Sequence, residues 1–216
     1  MSQRKARQAR DTQRRGQASQ SARQTVLIVC EGTKTELNYF KDLRQHYNLQ
    51  AVHTVDVTSG SSGRNARNIL LDAKKRYKIS KDKGDPYDHV YCVFDRDDEH
   101  GANAGFREVI AEIKKTKDFY AAYSIPSFEF WLLLHFTYTR QCFESSQQVF
   151  ERLQKHYKTY QKNQIGLFRE LEIHLEQAFM HADRCLEEAK DSDNPSTTVH
   201  ELVRRLQKLR NERKSL

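Results

Sequence analysis

From residue 25 to about residue 142, short apolar runs of strand character alternate with stretches of helical periodicity, and few folds accept that alternation. TVLIVC (25–30) is apolar and β-branched almost throughout, which marks a strand buried on both faces. In TKTELNYFKDLRQHY, Leu37, Phe40 and Leu43 then recur at helical spacing. A second strand is read near 51–58 (AVHTVDVT), a Ser/Gly loop at 59–63, and a helix over about 64–77. A loop rich in Lys, Asp and Gly (80–88) precedes a third strand, HVYCVF (89–94). A helix near 103–117, a strand at 119–125 (FYAAYSI) and a helix opening at Ser127 complete the series. Such alternation implies βαβ units and a mostly parallel sheet, so the fold class is α/β with a Rossmannoid sheet flanked by helices.

Beyond about residue 143 the pattern is only helical. One amphipathic stripe runs through Val149, Phe150, Leu153, Tyr157 and Tyr160, another through Leu167, Leu171, Leu175, Ala178, Ala182 and Leu186. DSDNPSTT interrupts the pattern, with Asn194-Pro195-Ser196-Thr197 read as a turn capping a last basic helix from about 198. Residues 1–24 contain no Leu, Ile, Val or aromatic side chain, so nothing there offsets the entropy of ordering. The organisation predicted is a disordered basic tail (1–24), an α/β core (25–142), and a helical extension packed on it (143–216).

The charge is unevenly placed. Of a formal +8 over 216 residues, residues 1–24 carry +6 and residues 200–216 carry +4, leaving 25–199 at −2. Cationic ends around an acid-bearing body suit a polyanion held at the edges; a solubilising tail and a charged surface helix are the plainer alternative. The apolar runs VLIVC and FWLLL fall far short of the roughly 20 residues that cross a bilayer, so no membrane partner is expected. The first residues lack the apolar stretch of a secretory signal, and Cys30, Cys92, Cys142 and Cys185 form no CxxC pair. A cytoplasmic protein with reduced thiols is the expectation.

Acidic residues fall where strands end. Glu31 follows the first strand, Asp95 and Asp97 the third, and Glu129 lies just past the fourth. A parallel sheet brings all four to its carboxyl edge, where open α/β sheets place their sites. Crowded carboxylates repel, and a divalent cation such as Mg²⁺ or Mn²⁺ relieves the repulsion. In a D-x-D leaving a strand, Asp95 and Asp97 face one way and Arg96 the other. Acids in βα loops also serve as caps, and Glu129, in the first turn of a helix capped by Ser127, has that simpler explanation open to it.

Other features are weaker. GTKT (32–35) lacks the spacing of a triphosphate-binding loop; Lys34 is a candidate phosphate contact, with a solvated loop lysine at least as good a reading. Arg64, closing SGSSGR, is a second such candidate, with an ordinary capped βα loop as the favoured reading. His174, His181 and Cys185 share a helical stripe without a clear fourth zinc ligand, so packing is preferred. His135 reads as a hydrogen-bonded core histidine. KHYKTYQK (155–162) interleaves lysines with Tyr157 and Tyr160 as base-stacking segments do, but lysines at a helix C-terminus favour the dipole without any nucleic acid, and this structural account is preferred.

VLIVCEGTKTE (26–36) and VYCVFDRDD (90–98) resemble the Toprim domain of topoisomerases, bacterial primases and overcoming-lysogenization-defect nucleases. More closely, CEGTKTELNYF, FDRDDE, SIPSFEFWLLLHF and NPSTTVHELV in that order resemble the RloB / AbiL-type abortive-infection proteins, over residues 25 to about 205. The resemblance implies a Toprim-like fold, Mg²⁺-dependent phosphodiester chemistry, a role in bacterial phage defence and an ATPase partner like RloA. By position, Glu31 matches the glutamate held to be general acid/base, Asp95 and Asp97 the metal-binding pair, and Glu129 the acid of S-F-E-F-W. The sequence departs from the topoisomerases after D-x-D, and none of its tyrosines is assignable as a DNA-linking nucleophile.

The reading is therefore a metal-dependent nuclease, not a topoisomerase. Glu31, Asp95, Asp97 and Glu129 are its catalytic candidates; Glu31, Asp95 and Asp97 its metal ligands; Lys34, Arg64 and Arg96 its nucleic-acid contacts. DNA and RNA, tRNA included, are both open as substrates, as is assembly into a homo-oligomer. The alternative is a non-catalytic subunit that docks nucleic acid or the ATPase.

Overall fold

The computed structural model describes residues 24–32, 34–51, 54–60, 65–96, 103–189 and 193–214. Strand β1 (Thr25–Cys30) has all six residues buried, because it lies inside a sheet covered on both faces. Its alternate side chains enter two different cores, as the two-residue period of a strand requires. Val26, Ile28 and Cys30 join Tyr39, Phe40 and Leu43 of α1 (Thr35–His46) and Trp131 of α4 (Phe128–Leu133). Leu27 and Val29 join Ile69, Leu70 and Ala73 of α2 (Ala66–Asp82) and Phe106, Val109 and Ile113 of α3 (Asn103–Lys115). Each large apolar side chain so buried stabilises the fold by roughly 1.5–3 kcal/mol.

The sheet order is β2-β1-β3-β4-β5, with β2 at Thr54–Ser59, β3 at His89–Asp95, β4 at Phe119–Ile125 and β5 at Ser196–Thr197. Its first four strands are parallel, and β5 runs antiparallel to β4. The mostly parallel, helix-flanked α/β architecture read from the sequence is the one observed. Helix α2 runs on to Asp82, beyond the anticipated end near 77, and stops where Gly84 takes φ +81, a left-handed conformation that glycine adopts without strain.

The segment after residue 143 is not purely helical. It contributes α5 (Ser146–His156), α6 (Leu167–Leu171), α7 (Leu175–Glu187) and α8 (Val199–Lys214), but also the two-residue strand β5. That strand carries no apolar alternation because hydroxyls hold it. Ser124 Oγ and Thr197 Oγ1 are 3.0 Å apart, Tyr123 N–H donates to Thr198 Oγ1 (3.0 Å), and Thr198 Oγ1 donates to the Ala121 carbonyl (3.2 Å). Val149, Leu153, Leu171, Ala178, Val203 and Leu206 then enlarge the core on the α1 and α4 face of the sheet.

Three arginines of α8 are held by the body of the protein. Arg204 makes two bonds to Asp183, at 2.8 and 2.5 Å; Arg205 reaches Gln24 and lies 2.6 Å from His89 Nε2; Arg210 pairs with Glu172 at 2.7 Å. No helix among the described residues is long and apolar enough to cross a membrane.

Asn194 ties the segment entering β5 to the segment entering α5. Its Oδ1 accepts the Phe143 N–H (3.3 Å) and its Nδ2 donates to the Phe143 carbonyl (2.7 Å), both buried. Asn194→Ala leaves the two backbone groups without these partners and is expected to cost about 1–3 kcal/mol. The measurement is a lower urea midpoint with an unchanged slope; a midpoint equal to wild type would count against this clamp.

Candidate functional site

The carboxyl edge of the sheet carries a pocket of about 280 Å³, with Glu31, Gly32, Lys34, Thr35, Glu36, Asp95, Ser127, Phe128, Glu129, Lys162 and Asn163 among its lining. Glu31 leaves β1 with its N–H on the Val93 carbonyl (2.8 Å), which fixes it beside β3. Its Oε2 accepts the Asp95 N–H at 3.2 Å. Asp95, the last residue of β3, stands in register with Ser124 of β4, and its Oδ2 accepts the Phe128 N–H at 3.1 Å. That bond satisfies one of the open N–H groups at the start of α4.

Ser127 occupies the N-cap position of α4 without making a side-chain capping bond, contrary to the role expected for it. With Asp95 on the Phe128 N–H, the Ser127 hydroxyl donates instead to Glu129 Oε2 (2.8 Å). Glu129 is 7% exposed, and its Oε1 accepts the Tyr160 hydroxyl at 3.2 Å. It is thus held by two hydroxyls in the pocket wall rather than left as a solvated first-turn acid. Burial and the Glu129 charge push the Tyr160 phenol upward, so this tyrosine beside the acids is a hydrogen-bond donor and not an ionised nucleophile.

Glu36, in the first turn of α1, also lines the pocket, and the sequence reading did not single it out. A Cβ built on Gly32 would stand 1.7 Å from Glu36 Oε2. Glycine at 32 is therefore what lets this carboxylate fold back over the loop after β1. The Glu-Gly pair at 31–32 held that signal, since an acid one helical turn on needs room.

The pocket is electrostatically strained. Burial holds the Asp95 carboxyl well above the ordinary carboxylate range, Glu36, Glu129 and Glu31 add like charge, and the Phe128 N–H works against them. The donors are hard oxygens of the kind Mg²⁺ and Mn²⁺ take. Among the described residues no three His, Cys, Asp or Glu side chains stand within reach of a single ion. Mg²⁺ takes one or two carboxylates, with waters and substrate oxygens completing the shell, a demand for donor type that the acids lining this pocket meet.

The other candidates divide. Lys34, exposed at the start of α1, lines the pocket. Asp97 and Arg64 lie outside the described residues. Arg96, read as a nucleic-acid contact, is 6% exposed; its Nη1 pairs with Asp193 at 2.7 Å and its guanidinium lies 5.8 Å from the Phe106 ring centroid. It locks the end of β3 to the segment before β5. His135 is a buried core histidine, 3.1 Å from the Trp131 carbonyl, its pKa lowered by burial to about 3. His181 Nδ1 lies 2.8 Å from the Leu134 carbonyl and the buried Cys185 thiol donates to the Thr139 carbonyl, so both are engaged in packing.

A carboxyl with its folded-state pKa above its unfolded one takes up protons on folding. Its contribution to stability therefore falls as pH rises from the ordinary carboxylate range through the folded pKa. Asp95→Asn keeps an oxygen for the Phe128 N–H and removes the charge. With chelator present, the variant is expected to melt a few degrees above wild type at neutral pH, and the gap to close below about pH 4. Thermal scans across pH check this; a variant no more stable at neutral pH would contradict the crowding.

A sequence model of the RloB-like protein family matches residues 26–206. No curated protein and no solved structure matches the chain. The match takes in the five strands from Val26 onward, the acids of the sheet edge and the first half of α8, and the chain belongs to the RloB-like family.

Proposed function

We propose that this chain is a Mg²⁺- or Mn²⁺-dependent nuclease of bacterial phage defence that acts beside an RloA-like ATPase. The observation that carries the reading is Asp95, held at the carboxyl edge of a parallel sheet and crowded by Glu31, Glu36 and Glu129 around one pocket. A fold gains nothing from facing like charges together, and such strain gathers at functional sites. Membership of the RloB-like family supports the defence role.

Asp95 and Asp97, with Glu31, would hold the cation, which when bound supplies Lewis acidity at a phosphoryl oxygen. Glu31 is the residue for proton transfer at the scissile phosphate, its Oε2 steadied by the Asp95 N–H. Glu129, fixed by Ser127 and Tyr160, adds a further acid to the pocket wall. Lys34 at the mouth is placed to meet a phosphate oxygen. The Tyr160 hydroxyl is committed to Glu129 inside the wall, so hydrolysis is favoured over strand relaxation through a tyrosyl intermediate.

The test is cleavage of labelled DNA and RNA, tRNA included, with Mg²⁺ or Mn²⁺, by the chain alone and with its ATPase. Glu31→Ala and Asp95→Ala are each expected to lower the rate by about 10²–10⁴-fold. Undiminished cleavage in both variants would overturn the mechanism. Calorimetric titration with Mn²⁺ separates the alternative, a non-catalytic docking subunit, which predicts no heat of binding in wild type.

A further inference from the structure

The KHYKTYQK segment comes apart in the structure, and its lysines separate with it. Lys155 lies in α5 and borders a different, smaller pocket, Lys158 is exposed beyond the end of that helix, and Lys162 alone of the three lines the acid pocket. The chain on either side of Lys162 is pinned to the site. Two residues before it, the Tyr160 hydroxyl donates to Glu129 Oε1. One residue after it, the Asn163 N–H donates to Thr35 Oγ1 (3.2 Å) and the Asn163 carbonyl accepts from Asn38 Nδ2 (3.0 Å). Asn163 takes φ +71, a left-handed conformation that asparagine tolerates better than most residues, and the chain turns there over the start of α1.

We infer that Lys162, delivered to the sheet edge by the 157–166 segment, is a phosphate-contacting residue that binds the nucleic-acid strand across the pocket from Asp95, an inference that rests on the nuclease reading. Lys162 makes no ion pair with any described residue; its ammonium lies 5.4 Å from the Phe150 ring centroid. A cation–π contact of this exposed kind is worth about 0.5–1 kcal/mol and steers the charge without neutralising it. An ammonium kept beside metal-binding carboxylates and pairing none of them opposes metal binding by repulsion. An anion lying between the ammonium and the metal reverses that sign, and a phosphodiester is an anion that engages both. Lys34, which precedes Thr35 in the chain, contributes a second positive charge to the same pocket.

The experiment measures binding of fluorescein-labelled single-stranded DNA and RNA to the full chain by anisotropy across a salt series, with Ca²⁺ in place of Mg²⁺. Lys162→Ala is expected to weaken affinity about tenfold, the loss of one charge-assisted contact. It should also reduce the slope of log affinity against log salt by about 0.7, one phosphate fewer on a single strand. Lys162→Arg should restore both, Lys162→Glu should weaken binding further, and Lys158→Ala, outside the pocket, should match wild type. Lys162→Ala equal to Lys158→Ala in affinity and slope overturns the inference, and if Asp95→Ala still abolishes cleavage the nuclease reading stands without it. If Asp95→Ala cleaves like wild type while Lys162→Ala loses affinity and slope, the site binds strands but does not cut them there. A chain that binds neither strand, alone or with its ATPase, overturns both readings.

Discussion

Asp95 belongs at once to the sheet, to a helix and to the site. Its backbone N–H holds Glu31, and its carboxylate takes the first N–H of α4. Because β3 lies between β1 and β4, this single residue ties together the ends of three parallel strands. A serine or asparagine could cap α4 without carrying charge. Using aspartate draws a negative side chain into a crowded pocket, and it frees Ser127 to orient Glu129. The capping bond of α4 and the charge of the pocket cannot be changed independently.

The opposite wall comes from the part of the chain that the sequence sets apart as a helical extension. Tyr160 holds Glu129, Asn163 holds Thr35, and Ser146 opens α5 at the pocket's edge. Two further ties run from the approach to β5: Arg96 to Asp193 at the end of β3, and Asn194 to Phe143 at the approach to α5. The pocket is therefore shaped by contacts between residues 31 to 128 positions apart. A change in the extension reaches the acids through specific hydrogen bonds rather than through general loosening.

That arrangement explains what could be read beforehand. β1 and β3 were legible because burial on both faces leaves an uninterrupted apolar run, and Glu31 and Asp95 because an acid directly after such a run has no packing reason to be there. Glu36 was hidden: an acid in the first turn of a helix looks like a dipole partner, and only the space at Gly32 shows where it folds. β5 was hidden because its pairing uses hydroxyls, which leave no apolar alternation. For Arg96, alternation along the strand gave the side it faces but not Asp193, the residue waiting there 97 positions on. Tyr160 and Lys162 carried a local pattern of base-stacking kind, whereas their positions are set by contacts with Glu129 and Phe150.

The distribution of charge bears on how a polyanion is held. A basic helix attracts from a distance only while its charges remain unpaired, since a guanidinium closed on a carboxylate leaves little net field beyond a Debye length of about 8–10 Å. In α8 Arg204 is closed on Asp183, Arg210 on Glu172, and Arg205 lies against Gln24 and His89. These side chains fasten the last helix to the body, so the net +4 of residues 200–216 overstates what that end offers a ligand. Among the described residues, unpaired positive charge beside the acids belongs instead to Lys34 and Lys162, which line the pocket. On the proposed reading, a strand at the sheet edge would thus be oriented by short-range contacts inside the pocket rather than by the charge of the carboxyl-terminal helix.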